Sequence, residues 1–204
     1  MRIFTGLGVG LVVAALVALG VSRSGAEEKA TYVGSSKCMK CHSKQVLSWK
    51  KTGLAKAMDT LKPVPAENKD LVERMKKAGL DPAKDYSADP ACVKCHSTGY
   101  GKDGGYPEKV TEENAKVAKD MGSVSCESCH GPASLYLDYK NEKRKANKDA
   151  TFTREELVKL GLVVPTEETC KACHNDSAPV KPSEAFKFEE MKKRVHEHTA
   201  VGGK

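Results

Sequence analysis

Aromatic side chains are scarce in this sequence of 204 residues, which has one Trp, six Tyr and four Phe. A chain with so little large apolar surface cannot easily offset its conformational entropy with a conventional core, so an added staple is expected. Histidine is also scarce, at six. No stretch alternates apolar and polar residues with the period of two that a half-buried strand needs, which argues against a sheet-based fold. Beyond residue 26 no apolar run approaches the about 20 residues of a membrane-spanning helix, so no span is expected there. No cysteine stands alone, which excludes a framework of scattered disulfides.

All eight cysteines fall into four copies of one pentapeptide: Cys38-Met39-Lys40-Cys41-His42, Cys92-Val93-Lys94-Cys95-His96, Cys126-Glu127-Ser128-Cys129-His130 and Cys170-Lys171-Ala172-Cys173-His174. Structural zinc, a dithiol redox couple or a disulfide would tolerate almost any residue after the second cysteine, yet histidine follows in every copy. C-x-x-C-H is the attachment signature of c-type haem. The two thiols form thioethers with the haem vinyl groups, and the imidazole takes one axial position on iron. The sequence therefore predicts four covalent c-type haems, thioether-linked through Cys38, Cys41, Cys92, Cys95, Cys126, Cys129, Cys170 and Cys173. Their proximal iron ligands are His42, His96, His130 and His174. Four porphyrins would also supply the apolar staple that the composition demands.

The start of the chain agrees with this chemistry, which is carried out outside the cytoplasm. Arg2, an apolar stretch over residues 6–21 and the small residues Ser24-Gly25-Ala26 read as a secretory signal over residues 1–26, leaving residues 27–204 as a single tetrahaem domain in the periplasm. Loss of Arg2 and Arg23 with the leader lowers the net charge from +7 to +5. Eight ionised propionates would take the holoprotein to about −3, so nucleic acid is not an expected partner. The lysines are expected to meet propionates, a docking partner or solvent.

Helical periodicity predicts a helix over residues 43–61, with Val46, Leu47, Trp49, Leu54, Met58 and Leu61 mostly on one haem-facing stripe, and a second over residues 66–78 stopped by Gly79. The glycine-rich turn at residues 98–106 is read as a place where backbone approaches a flat cofactor. Further helices are expected over residues 111–121, 154–160 and 183–198, and residues 135–150 read as a basic stretch. The expected class is mainly α with little or no β: a compact multihaem cytochrome c fold, helices and loops wrapped around four stacked haems.

Four irons need eight axial ligands, and only His196 and His198 remain after the four motif histidines. On one helix, two residues apart, these two rings would point in different directions. At most two haems are then bis-histidine, and His196 is the expected distal ligand. Met58, Tyr139, Lys140 and His198 are the other distal candidates. A six-coordinate haem passes electrons, whereas an open iron also binds small molecules, so this shortage bears on function.

The chain resembles the tetrahaem cytochrome c-554 family of ammonia oxidisers. The likeness is carried by Tyr32-Val33-Gly34, Ser48-Trp49-Lys50-Lys51-Thr52-Gly53, residues 80–86, the 98–106 turn, residues 122–132, and Phe186-Lys187-Phe188 through His196-Glu197-His198. The resemblance implies closely paired haems and electron shuttling, in the founding member from hydroxylamine oxidoreductase towards membrane acceptors. It also implies that His196 is distal to the first haem and that the second haem, on His96, is five-coordinate. The family's distal histidine for the fourth haem falls at Leu54, which cannot ligate iron. That for the third falls at Lys140, or at Tyr139 with a one-residue shift. The primary expectation is a periplasmic electron carrier, not an enzyme, serving redox partner proteins. The alternatives are a redox enzyme acting on nitric oxide or hydroxylamine at an open haem, and a subunit of a larger complex with other cytochromes or oxidoreductases.

Overall fold

The computed structural model describes residues 28–181 and 184–198. The expected leader and the last six residues lie outside the described residues. As expected, the regular elements among the described residues are helical, and none forms a strand. The chain runs through α1 (Ser35–Cys38), α2 (Ser43–Trp49), a 3-10 segment (Leu54–Leu61), α3 (Lys69–Lys77) and α4 (Pro90–His96). It continues through α5 (Ala115–Met121), α6 (Cys126–His130), α7 (Ser134–Ala146), α8 (Arg154–Val158), α9 (Glu167–Lys171) and α10 (Phe188–Met191), followed by a 3-10 turn (Lys192–Arg194). No described helix is long and apolar enough to cross a membrane.

The expected continuous helix over 43–61 is in fact two pieces. The Thr52 hydroxyl donates to the Trp49 carbonyl at 2.7 Å, a local bond that competes with helical continuation, and Lys56 departs from helical φ/ψ. Of the stripe, Val46, Trp49 and Leu61 are buried, Leu54 and Met58 are half-buried, and Leu47 is 54% exposed. Met58 packs against an apolar cluster of Leu61, Met75, Tyr86, Val93, Tyr106, Ala118 and Met121. α3 begins at the Asn68 cap, whose side chain accepts from the Leu71 amide at 3.3 Å, and Gly79 ends it at φ 73°.

The glycine-rich turn closes on the backbone of Tyr32. Gly104 has φ 75°, and a side chain there would run into the Tyr32 backbone. The Tyr32 amide in turn donates to Asp103 at 3.0 Å. Positive φ at Gly99, Gly101 and Gly104 lets the turn fold tightly enough to clasp the N-terminal strand-like segment. The expected last helix over 183–198 is also shorter: its regular part covers α10 and the 3-10 turn, and His196 and His198 lie beyond both.

The second half of the molecule is built differently from the first. α7, α8, α9 and α10 contain no fully buried residue. Leu135, Leu137, Leu157, Leu160 and Phe186 are only half-buried. These helices lack the dense apolar packing of a protein interior. Such a framework fits a fold whose apolar centre is porphyrin.

Four Cys-His motifs as a candidate haem site

Each motif sits on about one turn of helix. In the first, the His42 amide donates to the Cys38 carbonyl at 2.9 Å; in the fourth, His174 donates to Cys170 at 2.9 Å. The second and third motifs lie within α4 and α6. A four-residue spacing puts the first cysteine and the histidine on one helix face, with the second cysteine beside them. α4 is started by Pro90 and by the Asp89 carboxylate, which accepts from the Ala91 amide at 2.9 Å. α6 is ended by Gly131 at φ 76°.

Two of the motif imidazoles, His96 and His130, have one ring nitrogen fixed and the other left for metal, as metal-binding histidines require. His96 Nδ1 lies 2.8 Å from the Ala57 carbonyl and 3.1 Å from Thr60 Oγ1. His130 Nδ1 lies 3.3 Å from the Val163 carbonyl. His174 stacks on Phe186 with centroids 4.9 Å apart. Burial pushes His42, His130 and His174 below the ordinary imidazole range, favouring the neutral form that binds iron.

All eight thiols are free. Burial pushes Cys129 up to about 11 and Cys173 up to about 12. Among the described residues, no three His, Cys, Asp or Glu side chains converge to hold a bare metal ion. Paired thiols with an adjacent neutral imidazole, set in a framework short of apolar packing, fit covalent haem.

The motifs also meet in a definite order. Cys38 neighbours Cys126, where α1 packs on α6, Cys129 lies in the field of Cys170, and Cys173 neighbours Cys95. The sites therefore form an unbroken series: first, third, fourth, second.

Glu127, inside the third motif, holds the first junction of that series. Its carboxylate accepts from Val33 at 3.0 Å, Gly34 at 2.8 Å and Ala133 at 2.8 Å, and it is 1% exposed. Burial pushes its pKa up while these amides pull it down. Sequence reasoning did not single it out, although it is the one acidic residue within the four motifs. Nearby, Thr98 is fully buried, with its hydroxyl donating to the Ser123 carbonyl at 2.6 Å and lying 2.9 Å from Ser128 Oγ.

The distal candidates separate cleanly. The His196 ring is 6.3 Å from that of His130, at an interplanar angle of 29°, which sets it beside the third motif. His196 and His198 are neighbours, 4.7 Å apart, because they lie beyond the helix. His198 Nε2 is engaged by the Lys192 carbonyl at 2.8 Å. Tyr139 donates its hydroxyl to Glu156 at 2.7 Å, and Lys143 pairs with the same carboxylate at 3.0 Å. Lys140 is half-buried, lies 5.6 Å from the Phe152 ring and borders Cys41 and Cys38. Leu54 contributes its carbonyl to the Val124 amide at 3.0 Å.

Residues 37–131 match the family model described as cytochrome c554 and c-prime. Over 215 aligned residues the chain is 40% identical to cytochrome c-554 of Nitrosomonas europaea, covering 95% of this chain and 86% of that protein. The solved structure of the reduced state of cytochrome c554 from Nitrosomonas europaea superposes with a TM-score of 0.64 at 38% identity, covering 84% of this chain and 87% of the other. Four haem-attachment motifs on a helical framework, together with these likenesses, make the chain a multihaem c-type cytochrome of the cytochrome c-554 family.

Proposed function

We propose that the protein is a periplasmic electron carrier that links donor and acceptor redox proteins, exported by cleavage of residues 1–26. Bound c-type haem supplies reversible one-electron chemistry at iron. The chain supplies attachment through its eight cysteines, orientation through the anchored Nδ1 atoms of His96 and His130, and a fixed spacing between sites. His42, His96, His130 and His174 are the proximal ligands, and His196 serves the third site as distal ligand. The observation that carries this reading is the unbroken series of motifs, since a carrier with an entry and an exit needs adjoining sites. Pulse reduction of the oxidised holoprotein tests it: a carrier passes electrons on to an acceptor cytochrome without consuming a small substrate.

A second reading is favoured by the count of six histidines against eight axial positions. An open iron, with the second site on His96 as the first candidate, would bind nitric oxide or hydroxylamine. Binding of carbon monoxide or nitric oxide to the reduced protein, followed by turnover with a reductant, would establish the enzyme. Binding without turnover would leave the carrier. Native mass measurement with candidate cytochromes tests whether the chain works within a larger complex.

A further inference from the structure

One face of α7 covers the first motif. Tyr136, Lys140 and Arg144 follow one another at four-residue intervals and so share a stripe. At one end of the stripe, Tyr136 lies within the field of Cys38 and Cys126. At the other, Arg144 Nη1 is 3.1 Å from Cys41 Sγ. Lys140 stands between them, bordering both cysteines of the first motif, and is the foremost charge acting on His42. Tyr139 is turned away to Glu156.

The pairing of the neighbouring lysines sets Lys140 apart. Lys143 meets Glu156 at 3.0 Å and Lys145 meets Glu142 at 2.6 Å, whereas Lys140 makes no ion pair among the described residues. Its one ring contact, with Phe152, leaves the amine without an anionic partner. Of the stripe's three polar groups, the Arg144 guanidinium has no lone pair to give. Glu127 near the Tyr136 hydroxyl opposes phenolate. A lysine amine is a competent nitrogen donor once its proton has left.

We propose that the Lys140 amine is the distal axial ligand at the first haem site, opposite His42. The inference rests on the proposal that the motif holds haem. Ligation exchanges the ammonium proton, released to solvent, for a bond from the nitrogen lone pair to iron, with no change in iron oxidation state. It accounts for a first site with no imidazole left to it, since His196 lies by His130 and His198 is tied to Lys192. Pairing with the first haem's own propionates is disfavoured by position. Thioether bonds fix the vinyl edge at Cys38 and Cys41, and the propionates leave the opposite edge.

The test uses oxidised holoprotein, with electron paramagnetic resonance and near-infrared magnetic circular dichroism, beside a pyridine haemochrome count. Lys140→Ala is expected to retain four haems and to convert about one haem equivalent per chain from low to high spin. Lys140→His is expected to restore low spin with its near-infrared band moved to the bis-histidine position, and Lys143→Ala to change nothing. Unchanged spin populations in Lys140→Ala, or a Lys140→His spectrum that superposes on wild type, would overturn the assignment. The second criterion holds even where Lys140→Ala fails to mature. A wild-type haem count below four would instead overturn the underlying reading of the motifs.

Discussion

Glu127 is the residue whose removal is expected to cost the most away from the haem ligands. It places a carboxylate where the amides of Val33, Gly34 and Ala133 have no other acceptor. Each buried amide left unsatisfied costs about 1–3 kcal/mol. Glu127→Ala is therefore expected to lower the stability of the holoprotein by about 3 kcal/mol or more. Glu127→Gln should lose less, because one amide oxygen remains an acceptor while its NH₂ faces a donor; guanidinium unfolding of both variants measures the difference. Gly104 is the matching case in backbone conformation. Its φ of 75° and the Tyr32 backbone against it leave no room for a methyl group, so Gly104→Ala should lose about 1 kcal/mol or more. A similar substitution at Gly53, where nothing lies within 4 Å, should be close to neutral. The motif cysteines and histidines were readable from spacing alone. Glu127 was not, because its partners lie up to 94 residues away and no local pattern signals them.

Among the elements, the α7–α8 corner is tied by one carboxylate. Glu156 closes a capping box with Thr153 and also receives the Tyr139 hydroxyl and the Lys143 ammonium. The backbone amide of Thr153 first, then Tyr139 and Lys143, hold its pKa down to about 2, from an ordinary value near 4.5. The folded state thus releases this proton more readily than the unfolded chain does. The contribution is present above pH about 4.5 and is lost as the pH falls towards 2. Melting temperatures across that window should show a component that is absent in Glu156→Gln. Short helices were legible where a local stop signal exists: Gly79 and Gly161 both adopt positive φ after a helix, as their positions predict. Two boundaries were not legible. Periodicity ran through residues 43–61 without registering the Thr52 hydroxyl bond. The pattern over 183–198 also overstated a helix whose regular part stops at Arg194. That second boundary matters most, since it places His196 and His198 side by side rather than on different faces.

At the scale of the whole molecule, a packed first half joins a loosely packed second half. Helices α7 to α10 bury no residue completely, so the polypeptide alone should not hold them. Chain that has not received haem is expected to lack cooperative unfolding and fixed tertiary structure, measured by near-ultraviolet circular dichroism and a thermal scan of a variant with all eight cysteines changed to serine. A cooperative, native-like transition in that variant would contradict the role assigned to porphyrin. The number and type of cofactor were legible in the sequence because four C-x-x-C-H pentapeptides encode them. The order of sites was not, because Cys38 meets Cys126 through long-range packing that skips the second motif. That the four sites adjoin within one molecule is the central claim, and rapid partial reduction of the oxidised holoprotein, followed optically at several protein concentrations, tests it most directly. The account predicts that electrons redistribute among the four haems in a first-order process whose rate does not depend on protein concentration. Redistribution that speeds up in proportion to concentration would mean that the sites exchange electrons only by collision between molecules, and would contradict it.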